Sequence, residues 1–221
     1  MEGFCGGGSG QEELTMEHDA TTDRGVAAAS WLIRGMIFLH VCGMAALIFT
    51  RGGTAIGNVA FMEYECDPER VFLVEKFAAF AMLALAGSLF VYPTVAASLL
   101  IGSAVLLETS AAHRFGGSPF SDWVLASSSL RYMAPFAFAA LIAFPRNAVW
   151  DRHRFATCSW ILRTGIAIVF IAHGLQAILQ HPQFIDLIIG STRRLTGYRP
   201  TESQAVLLLK IIGIQDVIVA L

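Results

Sequence analysis

Six long apolar runs dominate this sequence, over residues 26–49, 71–91, 95–112, 124–144, 156–179 and 205–221. A hydrocarbon layer about 30 Å thick takes roughly 20 helical residues to cross, and each run is of that order. The runs are continuous, whereas a strand of a membrane barrel alternates over about 10 residues. In lipid the backbone N–H and C=O groups find no water, so such segments close their hydrogen bonds internally, as helices. The expectation is an all-α, polytopic transmembrane bundle of about six spans. Composition agrees: 14% of residues are charged and 55% hydrophobic, against roughly a quarter charged in soluble domains. A net charge of -2 with no basic stripe excludes a nucleic-acid partner.

The punctuation between the runs sets the organisation. Residues 1–25 are acidic and Gly-rich, the reverse of a signal peptide, and read as a disordered solvated tail. Their Gly6-Gly7-Gly8-Ser9-Gly10 run lacks the Gly-Lys-Ser/Thr ending of a phosphate loop. Residues 26–145 form a four-helix membrane unit, broken by Tyr92-Pro93-Thr94 because proline lacks an N–H. Ser127-Ser128-Ser129 interrupts the fourth run, which stops at Pro145. Residues 146–155 are a short basic link, and residues 156–221 a two-helix segment whose last run is short for a crossing, as in an incomplete repeat. Arg146, Arg152 and Arg154 in the link argue for a cytoplasmic position, and hence a cytoplasmic N-terminus, although Arg193, Arg194 and Arg199 then fall outside. The 50–70 stretch, with Glu63, Glu65, Asp67 and Glu69, reads as a solvated acidic loop. The four cysteines show neither a CxxC pair nor zinc spacing, and Cys42 and Cys158 read as packing residues.

The chemistry is expected where polar groups interrupt the spans, since an ionisable side chain at mid-bilayer costs about 2.5–3.5 kcal/mol on insertion scales. Asp216 lies near the middle of the sixth run with no base one turn away, so it is protonated, paired with another helix or facing water. Arg163 and His173 of the fifth run are the candidate partners. At 100° per residue Phe170, His173, Gln176 and Gln180 share one face, a polar stripe suited to the bundle interior. His173 then serves as a donor to a quinone carbonyl, as a metal or haem ligand, or as a plain interhelical hydrogen bond. His40, in the first run, lacks such a stripe. Glu75, Lys76, Glu108 and Arg131 read as groups reaching the interface. A short motif recurs, Ser30-Trp31-Leu32-Ile33-Arg34 and Ser159-Trp160-Ile161-Leu162-Arg163, each opening a run, with Lys76 and Lys210 early in the next. It reads either as an internal repeat or as two interfacial Trp-Arg anchors.

Arg163, Gly165, Phe170, His173, Gly174, Leu175, Gln176 and Ala177, with Gly213 and Asp216 downstream, resemble the first two helices of DoxX-like membrane proteins. The resemblance covers residues 163–221; the earlier runs match it loosely, through Trp31 and Arg34. It implies a small helical bundle in a bacterial inner membrane, associated with redox partners, some members being subunits of thiosulfate:quinone oxidoreductases. The candidate ligand-binding residues are Arg163, Phe170, His173, Gln176 and Asp216; no metal is expected, and quinone is the candidate cofactor. The leading expectation is a quinone-binding or partner-docking component of a membrane redox system, with oligomerisation open. A transporter-like protein, a haem protein using His40 and His173, and a non-catalytic assembly subunit are the alternatives.

Overall fold

A computed structural model of the chain describes residues 9–116, 121–143 and 148–221; for 9–24, 51 and 148–152 it describes the backbone alone. The described residues contain helices and no strand. In chain order these are α1 (Ser9–Arg51), α2 (Ala55–Tyr64), α3 (Pro68–Val91), α4 (Val95–Phe115), α5 (Val124–Ser127), α6 (Ser129–Ile142), α7 (Ala148–Ile178), α8 (Pro182–Thr196) and α9 (Glu202–Ala220), with a single 3-10 turn at Ser121–Trp123. Six segments are long and apolar enough to cross a membrane: Gly25–Thr50, Pro68–Val91, Val95–Phe115, Ser121–Ile142, His153–Ile178 and Glu202–Ala220. They coincide with the six apolar runs.

Helices α1, α3, α4 and α6 close a ring, α7 packs on the outside of α6, and α9 packs on α7. The core of the ring is small and aliphatic: Ile33, Ile37 and Val41 of α1 meet Ala86 and Leu89 of α3, Ile101 and Val105 of α4, and Phe138 of α6. Cys158 of α7 is buried in the same cluster, as a packing residue. The α5–α6 break falls at Ser128, and the Tyr132 hydroxyl spans it by donating to the Leu125 carbonyl at 3.1 Å. Ser129 is fully buried and donates to the Gly165 carbonyl at 2.9 Å, tying α6 to α7.

Four local expectations are corrected. Helix α1 begins at Ser9, so the backbone of 9–25 is helical where a disordered tail was expected; Glu12, Glu13, Met16 and Glu17 are good helix formers, and acids suit a helix N-terminus. Residues 1–8, with Cys5 and most of the glycine run, lie outside the described residues. The basic link is largely the first turns of α7, which starts at Ala148, while 144–147 lie outside the described residues. The acidic 50–70 loop contains α2. The 180–204 loop contains α8, a strongly amphipathic helix capped by His181 and closed by Gly197 in the left-handed conformation.

The Trp-Arg motif has the same local geometry in both places. The Arg34 guanidinium lies 5.1 Å from the Trp31 ring centre, and the Arg163 guanidinium 5.9 Å from that of Trp160. Each copy sits on a long helix followed by a short helix and a second span: α1–α2–α3 and α7–α8–α9. Each long pair also packs through small residues in the same register from the motif, Ala45 with Ala79 and Gly174 with Gly213. At the second crossing the backbones nearly touch: a Cβ on Gly174 would stand 2.7 Å from the Gly213 carbonyl oxygen. Gly174→Ala is therefore expected to lower the unfolding midpoint in detergent, an overpacking cost of about 1–3 kcal/mol. Gly43→Ala, whose Cβ would meet nothing within 4 Å, is expected to raise it by up to ~1 kcal/mol through helix propensity. Tryptophan-monitored thermal melts read the two signs.

Candidate functional site

The α7–α9 crossing brings His173 and Asp216 together. They flank its two glycines, and a Cβ on Gly174 would lie 3.3 Å from the Asp216 Cβ. The Asp216 carboxylate acts electrostatically on His173. So does the Arg131 guanidinium of α6, which also acts on His40 of α1. Since α1 packs on α6, α6 on α7 and α7 on α9, these four residues make up a set, the His173 layer, with one member on each of four successively packed helices; Arg131 is exposed and the other three are half-buried. His40 Nε2 is buried and has no hydrogen-bond partner among the described residues. From α8, Phe184 sets its ring edge-on to His173, with centroids 5.9 Å apart.

The sequence-derived candidates divide. His173 and Asp216 are neighbours, Gln176 is buried at 6% exposure one turn on, and Phe170 is half-buried one turn before. Arg163 is apart: it is exposed and stacked on Trp160, about 15 Å down the axis of α7 from His173. Arg131 was missed as a member of the site. Its position inside an apolar run was the same signal that singled out Asp216, but the serine break beside it suggested an interfacial role.

A second polar centre lies between α2, α3 and α4, and it corrects the reading of Glu75 and Glu108 as interfacial. After α1, Gly52 and Gly53 both adopt positive φ (69° and 82°), a conformation that only glycine takes without strain, and turn the chain back. Thr54 then caps α2, its Oγ1 accepting from the Gly57 N–H at 2.9 Å. The Thr54 N–H and hydroxyl both donate to Glu75 Oε1 at 2.6 Å. The N–H groups of Ala55 and Ile56 donate to the two carboxylate oxygens of Glu108, at 2.6 and 3.2 Å. The first turn of a helix leaves four N–H groups without intrahelical partners, and two carboxylates with one hydroxyl take them up here. The positive end of the α2 dipole faces both acids. Glu75 is buried at 7% exposure, and a Cβ on Gly57 would collide with its carboxylate. Lys76, next in sequence, sets its ammonium 4.0 Å over the Phe72 ring instead.

Six helices long and apolar enough to cross a bilayer, with a ring core of small aliphatic residues, define a multi-pass helical membrane protein. No family model, curated protein or solved structure matches the chain.

Hydrogen bonds to a charged acceptor contribute about 1.5–3 kcal/mol each. Glu108→Ala is expected to accelerate amide hydrogen exchange at Ala55 and Ile56 by roughly tenfold or more, leaving α9 unchanged. Exchange mass spectrometry on protein in lipid nanodiscs measures both regions at once.

Proposed function

We propose that this protein is a quinone-binding component of a membrane redox system, of the DoxX-like kind, with the layer His40–Arg131–His173–Asp216 as its binding centre. The carrying observation is the donor set: an arginine and two histidines on adjoining helices, one of the histidine nitrogens buried without a partner among the described residues. Quinone oxygens are hydrogen-bond acceptors on an apolar ring, and apolar sites with a few placed donors suit such molecules. The residues fit that chemistry. Arg131 and His173 donate to carbonyl oxygens, Asp216 stands beside His173 across the α7–α9 crossing, and Phe170 and Phe184 supply apolar faces near the imidazole. When bound, a quinone supplies reversible two-electron, two-proton chemistry; the chain's own part is to hold the headgroup and to provide a proton at His173. The resemblance of residues 163–221 to DoxX-like proteins supports a bacterial inner-membrane location and docking of an oxidoreductase subunit, and the basic residues Arg146, Arg152 and Arg154 support a cytoplasmic N-terminus.

A transporter-like role is the second reading, favoured by the repeated helix–short helix–helix unit. Titration with a short-chain quinone, followed through tryptophan emission, separates the two. The quinone reading expects saturable quenching, weakened about tenfold or more in His173→Ala and in Arg131→Ala. Undiminished affinity in both variants, or no saturation in the unaltered protein, sinks it. Uptake into proteoliposomes that is driven by a proton gradient and abolished by Asp216→Asn would put the transporter reading in its place.

A further inference from the structure

Beneath α2 the structure holds a half-open cavity of about 690 Å³ between α1, α2, α3 and α4, within the roughly 300–1,000 Å³ range of small-molecule sites. None of the residues of the His173 layer lines it. Its walls are mostly apolar, with Met44, Ile48, Val74, Ala79, Met82 and Ala104 among them. The charges on it are one-sided. Four carboxylates line it, from Glu65, Asp67, Glu75 and Glu108, against the single guanidinium of Arg70, which pairs with Asp67 at 3.6 Å.

Glu75 is the informative member. It is more than nine-tenths buried, and its Oε1 accepts both hydrogen bonds from Thr54, while Oε2 accepts none among the described residues. A carboxylate so largely removed from water, with one oxygen open to the cavity, is stabilised when a positive charge or a donor reaches that oxygen. Neither basic residue at this end of α3 serves, because Lys76 lies over Phe72 and Arg70 pairs with Asp67. Glu65 and Asp67 are exposed at the end of α2, where they favour the approach of cations from water.

We propose that this cavity is a binding site for a lipophilic cation, an organic ammonium or phosphonium whose apolar body fills the walls and whose charge is met by Glu75. Glu108 stays with the α2 amides and keeps the roof in place. The site is separate from the quinone centre, and the two proposals stand or fall apart.

Tetraphenylphosphonium and tetraphenylborate have nearly the same shape and opposite charge, so equilibrium dialysis of both against protein in uncharged nanodiscs tests the idea. Saturable binding of the cation at one site, with none of the anion, is expected. Glu75→Gln keeps an oxygen acceptor for Thr54 but removes the charge, and is expected to weaken cation binding by about tenfold or more. Ala104→Phe fills the cavity from α4 while keeping Thr54, Glu75 and Glu108, and is expected to abolish binding, with helical content unchanged; it decides the matter if Glu75→Gln misfolds. Equal binding of cation and anion, full cation affinity in both variants, or no saturable binding to the unaltered protein would overturn the proposal. Quinone titration of the same variants is expected to be unchanged, which keeps this test apart from the previous one.

Discussion

Because acyl chains offer no hydrogen bonds, a polar group that leaves water must find its partner inside the protein, and the course of the chain after α1 follows from that. A short helix packed against spanning helices brings a first turn of bare N–H groups with it. Thr54, Glu75 and Glu108 answer those groups one by one, and in return α2 supplies the carboxylates with donors they would otherwise lack. Neither half is stable alone at that depth: the acids would be stranded charges and the helix end a set of orphan donors. The same economy runs through the spans, where Ser98, Thr109 and Ser110 donate their hydroxyl protons to carbonyls one turn back on α4.

Helix association in lipid lacks the hydrophobic drive it has in water, so close backbone approach through small residues has to supply it. Ala45 against Ala79 and Gly174 against Gly213 do this at equivalent places in two helix pairs. The equivalence explains why the recurring Trp-Arg motif looked ambiguous on its own. His40 and His173 fall at different offsets from it, so the histidines are not the repeated element. The repeated elements are the crossing residues and the short helix that follows each long one.

The six spans were legible because length and continuous apolarity are direct consequences of bilayer thickness, and proline and serine breaks mark their ends. Helices α2 and α8 were not, for two reasons. Both are shorter than a span, and the period of α8 was hidden by treating 180–204 as a connector; a helical reading of Phe184, Ile185, Ile188 and Ile189 against Arg193 and Arg194 would have exposed it. The roles of Glu75 and Glu108 were out of reach for a different cause. Each lies about 10 Å from the end of its span, shallow enough to suggest interfacial exposure, and what buries them is a helix contributed by a segment read as a loop. His173 and Asp216 were legible as a pair because a mid-run acid demands a partner; that Arg131 joins them depends on how α6 is rotated, which one sequence does not fix.

The two polar centres are opposite in chemistry, and that opposition constrains what each can hold. The layer on α1, α6, α7 and α9 is rich in donors, and its one carboxylate, Asp216, stands beside a histidine. The chamber beneath α2 is rich in acceptors, and its one guanidinium is spent on Asp67. The first arrangement suits the proposed quinone, and the second suits the proposed cation, whose charge would meet a guanidinium at the first. With a low dielectric on every side these preferences are amplified over their strength in water.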